Sequence, residues 1–381
     1  MRRRWAAAAA LPLLITAACT PSLGLVTPPI AESAAILSSP VFGQDDVPFG
    51  KPVVKVRQGR ISDVQVVSAA TGQQVGGQLT RGGRAWEPDS SQLEFGTRYH
   101  VTATAVDLRG QATTVSGKFS TFTPSKELTM WTNVNDGETY GVGMPIEVTF
   151  NEPVTNKAAV EERLLISSNA EKEIVGSWSW DSDTSVSYRP KKYWPAHTKV
   201  RLDARLKGVH AGNDVYGLED ATRKIKYGAA NLMLVDASDH DMTFKRDGKL
   251  IKTMPVSTGK PGYATRSGIK VIMTKERNVV FTADVAESDP EYYKIPIDTA
   301  MRITWSGEYL HSAPWSVGDQ GWRNVSHGCV NLSPSDSEWL MQNVNIGDVV
   351  EVVNSGREQD LGNGITVWNE SWKDWTAGSA L

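Results

Sequence analysis

Ser326-His327-Gly328-Cys329-Val330-Asn331-Leu332-Ser333, with Tyr309-Leu310-His311-Ser312-Ala313-Pro314-Trp315 upstream, is the stretch that decides how this 381-residue chain is read. Side chains alternate along an extended segment, so His327, Cys329 and Asn331 are expected on one face and Gly328, Val330 and Leu332 on the other. The polar set then faces a cleft and the apolar set a core. Gly328 has no Cβ and lets a bound molecule approach the backbone, which makes the amides near Cys329 candidate donors to a developing oxyanion.

An ordinary thiol is protonated at neutral pH, so an attacking cysteine needs an imidazole or a positive field beside it. His327 is expected as a same-face neighbour of Cys329. His311 can approach from an adjacent strand and meet the sulfur head on, and is expected as general base and acid. Ser312 would orient the imidazole through its hydroxyl or carbonyl. Two rival readings stay open on the residues alone. One is a buried, inert thiol. The other is zinc held by His311, His327 and Cys329, for which the sequence offers no CxxC, no HExxH and no identified fourth ligand. His100, His197, His210 and His240 lie outside any motif and read as surface or satisfied core residues.

The rest of the chain frames this stretch. Its length implies two or three domains. A net charge of -3 gives no electrostatic reason for a nucleic-acid partner. The N-terminus, MRRRW followed by AAAAALPLLITAA, has the basic and short apolar pattern of an export signal. Thr16-Ala17-Ala18-Cys19 reads as a lipobox, so residues 1–19 are expected to be a signal peptide, with Cys19 lipidated and the protein anchored at the outer face of the cytoplasmic membrane. Plain cleavage of the signal is the alternative. If Cys19 is lipidated or removed, the mature chain keeps one cysteine, Cys329, which cannot form an intramolecular disulfide.

Residues 20–41, rich in Pro, Ser and Ala, read as a linker. Residues 42–124 and 125–229 carry short alternating strands such as RYHVTATAV and MPIEVTF, the pattern of two β-sandwiches. A weak echo between GTRYHVTATAVDLRG and HTKVRLDARLKGV suggests a duplicated module. Trp178, Trp180 and Trp194 read as core anchors of the second. Residues 230–354 form a third, β-rich domain, in which about Lys275 to Thr299, with Pro290, Tyr292, Tyr293 and Pro296, reads as a long loop acting as a lid. In the extension 355–381, Trp368, Trp372 and Trp375 fall at i, i+4 and i+7, one helical stripe expected to dock a C-terminal helix onto its own domain.

SHGCVNL with HSAPW upstream resembles the L,D-transpeptidase (YkuD-type) family, in particular its actinobacterial, mycobacterial-type members. GVGMPIEVTFNEPV and GSWSWDSDTSVSYRPKKYWP resemble the second of their two immunoglobulin-like domains. The resemblance implies a mainly β chain: two immunoglobulin-like β-sandwich domains, then a β-rich YkuD-type catalytic domain with a Trp-rich C-terminal extension. It implies that Cys329 attacks a tetrapeptide stem of peptidoglycan at its third residue, expels D-alanine and leaves a thioester. The side-chain amine of an acceptor stem then completes a 3→3 cross-link, and carbapenems acylate the same sulfur. By this resemblance His311 and Cys329 match the catalytic pair, and Tyr293, Ser306, Gly307 and Asn331 match substrate-contacting positions. The oxyanion donors would be backbone amides near Gly328 and Cys329. Related chains can carry acids suited to a cation in the loop GVHAGND, where His210 stands here, so neither metal nor cofactor is expected. A non-catalytic wall-binding lipoprotein, an L,D-carboxypeptidase and a protein-to-wall ligase are the competing readings.

Overall fold

The computed structural model describes residues 36–38, 42–49, 53–89, 92–283 and 285–381; the expected signal, Cys19 and most of the linker lie outside them. Two compact units result, the first drawn from the described residues within 36–44, 53–88 and 98–119. It holds a four-stranded sheet in the order Ile36–Ser38, Val54–Val56, Ala85–Pro88, Gly77–Thr80 and a three-stranded sheet of Arg60–Ser68, Arg98–Val106 and Ala112–Ser120. The alternation in RYHVTATAV buries Tyr99, Val101, Ala103 and Ala105. On the other face, Thr102 and Thr104 hydrogen-bond across to Ser116 and Thr114 at 3.1 and 2.8 Å.

The second unit opens with a further sandwich. One sheet runs Thr139–Tyr140, Ala221–Tyr227, Lys199–Ala204, Leu164–Ser168, and the other Gly176–Trp180, Ser185–Pro190, Ile146–Phe150, Met130–Thr132. The two segments that echo each other in sequence, Arg98–Val106 and Lys199–Ala204, are both inner strands with a partner on either side. Trp178 and Trp194 are buried in this core, while Trp180 is half-buried. Each indole N–H still finds an acceptor: the Leu164 carbonyl, the Met144 carbonyl and the Glu161 carboxylate respectively.

The same unit then builds a pair of sheets from residue 231 onward. A five-stranded sheet runs Lys249–Pro255, Asp241–Arg246, Asn231–Asp236, Val349–Val353, Gly268–Val271; a four-stranded one runs Thr274–Thr282, Lys294–Arg302, Tyr309–Ser312, Val330–Leu332. Met233, Phe244, Met254, Leu310, Val330 and Leu332 are among the residues that fill the core they enclose. The helix Pro334–Asn343 starts where Ser333 Oγ accepts the Asp336 N–H and Pro334 needs no donor, and it buries Leu340 and Met341 in that core. The strand Val349–Val353 serves two cores: Val349 packs with the sandwich, while Val350 and Val352 enter the second cluster.

Two expectations need correction. The segment Lys275–Thr299 is no long loop but mostly two antiparallel strands, Thr274–Thr282 and Lys294–Arg302, and only their connection is irregular. Both faces of Thr274–Thr282 are partly wet, so its residues show no clean apolar alternation. Pro296 is tolerated because Lys294–Arg302 meets its second neighbour only at Ala300–Arg302, leaving the proline with one partner strand.

Nor do the three C-terminal tryptophans lie on one helix. Trp368 belongs to a short 3₁₀ turn, Glu370 is extended, and only Trp372–Ala377 is α-helical, capped by Ser371 Oγ on the Asp374 N–H. Their common partner is Arg189, whose guanidinium lies 5.2, 5.3 and 4.8 Å from the rings of Trp368, Trp372 and Trp375. Trp368 Nε1 donates to Gly143 O and Trp375 Nε1 to Ser177 O, so the extension docks on the second sandwich. Trp375 is 1% exposed, and Trp375→Ala is expected to cost about 3–5 kcal/mol of stability, to be read from denaturant unfolding.

A buried carboxyl marks the junction between that sandwich and the sheets beyond it. Asp348 Oδ2 accepts from Asn231 Nδ2 and Asn345 N, both at 2.7 Å, while Oδ1 has no partner among the described residues. Burial pushes this carboxyl up from its ordinary value of 3.8 to about 7, against those hydrogen bonds, which lower it. Through the window from about 4 to about 7 the unfolded chain releases the proton while the folded protein keeps it, so this group's contribution to stability falls as pH rises. Melting curves of wild type and Asp348→Asn across that window should therefore show the wild type losing ground to the variant with rising pH. Parallel curves would mean the folded carboxyl is already ionised.

Candidate active site

The candidate site forms where Tyr309–Ser312 runs parallel to Val330–Leu332, with His311 registered opposite Asn331. The connection between them leaves through the 3₁₀ turn Pro314–Ser316 and returns through Ser326, which bridges to Gly259. Cys329 therefore sits at the mouth of its strand, one residue before the paired ladder begins.

The approach to Cys329 is bent rather than extended, because Gly328 adopts φ +121°, a conformation that side-chain-bearing residues rarely adopt. Ser326 holds the bend: its Oγ accepts the Gly328 N–H at 3.1 Å and donates to the Cys329 carbonyl at 2.6 Å. Thr265 Oγ1 donates to the Gly328 carbonyl at 2.8 Å. One consequence departs from the extended reading: the Gly328 amide is engaged by Ser326 and is not an open oxyanion donor. His327 is exposed, lies with its Nε2 2.5 Å from Glu291 Oε2 and packs against the rings of Tyr263 and Tyr293.

Glu291 belongs to the hairpin connection and also pairs with Lys260 at 2.6 Å. Those two bonds, Lys260 first, hold its carboxylate below the usual range. The connection is thereby fastened to the rim of the Cys329 cleft by two partners, Lys260 and His327.

His311 is 3% exposed, and its ring lies against Phe281 and Trp315, with centroids 5.3 and 5.9 Å away. Its Nδ1 stands 2.9 Å from the Ser312 carbonyl. A carbonyl only accepts, so Nδ1 carries the proton and Nε2 keeps its lone pair. Of the two routes open to Ser312 it is the carbonyl that orients the ring; the buried hydroxyl has no partner among the described residues. Burial lowers the imidazole to about 4, more than its hydrogen bonds with Ser312 and Asn331 raise it.

Cys329 is half-buried and donates through Sγ to the Gly307 carbonyl at 3.5 Å. Burial pushes the thiol up to about 12, with the Glu308 carboxylate adding to the rise and a backbone contact from Tyr309 opposing it. Both shifts favour the uncharged forms of thiol and imidazole over an ion pair.

Cys329, His311, His327, Tyr293 and Asn331 all border one cavity of about 410 Å³. Phe281, Ile295 and Trp315 give it apolar walls. Asn331 is 2% exposed; its Nδ2 donates to Ser316 Oγ at 3.0 Å, and its side chain also bears on the His311 imidazole. Ser306 and Gly307 lie outside that lining. The Ser306 hydroxyl is taken by Arg266 at 3.1 Å and Asn363 at 2.9 Å, and Gly307 presents its carbonyl to the thiol. A larger cavity, about 590 Å³, is bordered by Arg163, Arg205, Lys207 and Asp220 and holds no nucleophile. Among the described residues no group of three or more His, Cys, Asp or Glu side chains is placed to hold a metal ion. His210 instead stacks on Tyr216 at 4.6 Å.

Sequence reading missed Ser326, Thr265, Glu291 and the Arg266–Glu308 pair. Ser326 was within reach, since it lies inside the quoted motif. The others come from segments 20 to 64 residues away in sequence and carry no local signal of their role.

Known proteins match this architecture. Residues 44–210 match the bacterial Ig domain family, and residues 230–352 match the L,D-transpeptidase catalytic domain. L,D-transpeptidase 2 of Mycobacterium tuberculosis is 32% identical over 365 residues, covering 95% of this chain and 87% of that protein. L,D-transpeptidase 1 of the same species is 36% identical over 261 residues, covering 67% of this chain and 98% of that protein. A solved structure, the L,D-transpeptidase LdtMt1 in complex with imipenem, aligns over 60% of this chain and 100% of its own, with 36% identity and a TM-score of 0.51. A lone thiol and a neutral imidazole on neighbouring strands, in a domain of that family behind an Ig region, carry one conclusion: this chain belongs to the L,D-transpeptidases.

Proposed function

We propose that this enzyme forms 3→3 cross-links between peptidoglycan stems through a thioester on Cys329. One observation supports this above the others: Cys329 and His311 border the same cavity from adjacent strands, and the Ser312 carbonyl leaves the imidazole Nε2 free to accept a proton.

In the first half-reaction the sulfur bonds to the carbonyl carbon of the donor's third residue as the S–H proton passes to His311 Nε2. The C–N bond to the terminal D-alanine breaks, and the imidazolium returns the proton to the departing amine. In the second half, the side-chain amine of an acceptor stem attacks the thioester carbonyl. The new amide forms, the C–S bond breaks, and the amine's proton returns by way of His311 to the sulfur. Because thiol and imidazole rest uncharged, proton transfer accompanies attack rather than preceding it. Tyr293 and His327 at the rim, and Asn331 in the wall, are the side chains placed to contact the stem. Carbapenems would acylate the same sulfur through their strained ring carbonyl. In this reading the enzyme works outside the cytoplasmic membrane, held there by lipidated Cys19.

Incubation with a carbapenem followed by intact-protein mass spectrometry should give one adduct, lost entirely in Cys329→Ala. His311→Ala should slow its formation by roughly 10²- to 10⁴-fold. Absence of any adduct on the wild type would sink the assignment of Cys329. A disaccharide tetrapeptide substrate then separates the acceptors: a cross-linked dimer supports the proposal, and a trimmed tripeptide alone identifies a carboxypeptidase.

The pH dependence is a separate check. The base must be neutral to act, and His311 is held at about 4. Acylation should therefore persist as pH falls through the ordinary histidine range near ~6.5 and decline only toward pH 4. A rate that halves near 6.5 would show that the imidazole is not desolvated in the working enzyme.

A further inference from the structure

We infer that Glu308 is a positioning residue for the nucleophile: clamped by Arg266 beneath Gly328, its carboxylate fixes the segment that receives the thiol and keeps the sulfur protonated until substrate is bound. The inference rests on the reading of Cys329 as nucleophile and adds a residue that reading does not use.

Glu308 is 4% exposed although it carries a carboxylate, and such a group stays buried only where partners offset its desolvation. Its Oε1 accepts the Arg266 backbone N–H at 3.1 Å and Arg266 Nη1 at 2.9 Å. Its Oε2 has no partner among the described residues. A Cβ built on Gly328 would lie 3.7 Å from Glu308 Cγ and 3.8 Å from Oε1, so the carboxylate lies directly against the residue preceding Cys329. One residue before Glu308, the Gly307 carbonyl accepts the thiol. The backbone around it is fixed as well: Glu308 N donates to Thr304 Oγ1, and its carbonyl accepts from Ile303 N, both at 2.9 Å.

The charged and titratable groups around this point come from every element packed on it. Arg266 and Lys270 lie on one side, with Lys270 Nζ donating to the Arg266 carbonyl. Asp360 pairs with Arg266 Nε at 2.8 Å. Tyr309 follows Glu308 in the chain, and His311 and Tyr293 stand at the cleft. Of these cations Arg266 is shared with Asp360, and Lys270 turns to a backbone carbonyl. Burial is the first cause that disfavours the thiolate, and the Glu308 carboxylate, lying against Gly328, adds to it. A permanent thiolate in an oxidising compartment is open to oxidation, whereas a sulfur deprotonated only during attack is protected between turnovers.

Glu308→Gln retains the shape and an oxygen for the Arg266 N–H but removes the charge. Alkylation of Cys329 by iodoacetamide, followed by mass spectrometry from pH 7 to 9, should be faster in this variant by roughly threefold or more at each pH, since a tenfold change in thiolate accompanies each unit of pKa. Glu308→Asp keeps the charge while disturbing the packing, and should stay near the wild-type rate. Equal acceleration in both variants, or none in Glu308→Gln, overturns the inference, the first outcome reporting mere loosening of the loop. Should Glu308→Gln fail to fold, titration of the wild-type thiolate by ultraviolet absorbance, with Cys329→Ala subtracted, decides instead. Ionisation only in the strongly alkaline range supports the inference, and a midpoint near the ordinary ~8.5 overturns it. Failure of the wild type to form a carbapenem adduct would strike the function of Cys329 alone, because alkylation reports on the sulfur whatever its role.

Discussion

The parallel pairing of Tyr309–Ser312 with Val330–Leu332 is the constraint on which the site depends. Parallel strands cannot be joined by a tight turn, so the chain must make an excursion through residues 313–329 before it re-enters the sheet. That excursion supplies Trp315 and Ser316 to the cavity wall on the way out and Ser326, His327 and Cys329 on the way back. The sheet fixes His311; the return of the loop fixes the sulfur. Leu310, Val330 and Leu332 are fully buried on the core side of these two strands, so slipping the register by one residue would exchange apolar and polar faces. Core packing and catalytic geometry are thus set by the same pairing.

Much of this was legible from residues. The alternation of RYHVTATAV and of MPIEVTF gave strands, and Cys329, read with His311 as nucleophile and base, does border one cavity with that histidine. What failed did so for identifiable reasons. Reading Ser326–Cys329 as extended ignored that glycine's freedom permits φ +121°, although His327, Cys329 and Asn331 still border one cavity. Helical spacing of Trp368, Trp372 and Trp375 was real as a pattern but not as a helix. Their rings gather around Arg189, which lies more than 170 residues earlier and gives no sign in sequence that it is their partner. Ser306 looked like a substrate contact through its place in TWSGEYLH, yet its hydroxyl is taken by Arg266 and Asn363. Long-range partners of this kind are invisible to a reading of local pattern.

The C-terminal extension earns its place by tying two regions together. Its tryptophans grip the second sandwich at Arg189, Gly143 and Ser177, and its earlier turn reaches the site's underside through Asp360 to Arg266 and Asn363 to Ser306. Asn363 contacts Ser306 twice, accepting from its N–H and donating to its hydroxyl, both at 2.9 Å. The residue after Ser306 is the one whose carbonyl meets the thiol. A segment that could have been trailing chain is therefore a strut between a scaffold and the backbone beneath the nucleophile.

The resting protonation states follow from that enclosure. A thiolate–imidazolium pair would need water or opposing charge to sustain it, and His311 is shut between Phe281 and Trp315 while burial, with the Glu308 carboxylate adding to it, disfavours the thiolate. Desolvation penalises both ions, so the dry wall that makes the pair unreactive at rest also makes it sensitive to what fills the cavity. A bound stem brings its own carbonyl, on which negative charge develops as sulfur attacks. Charge then appears on imidazole and substrate together, at short range and in a low-dielectric surround where their attraction is strongest. On the proposed reaction, such a site favours the separated charges of the transition state over those of the resting enzyme, and its reactivity would come from that difference rather than from a preformed thiolate.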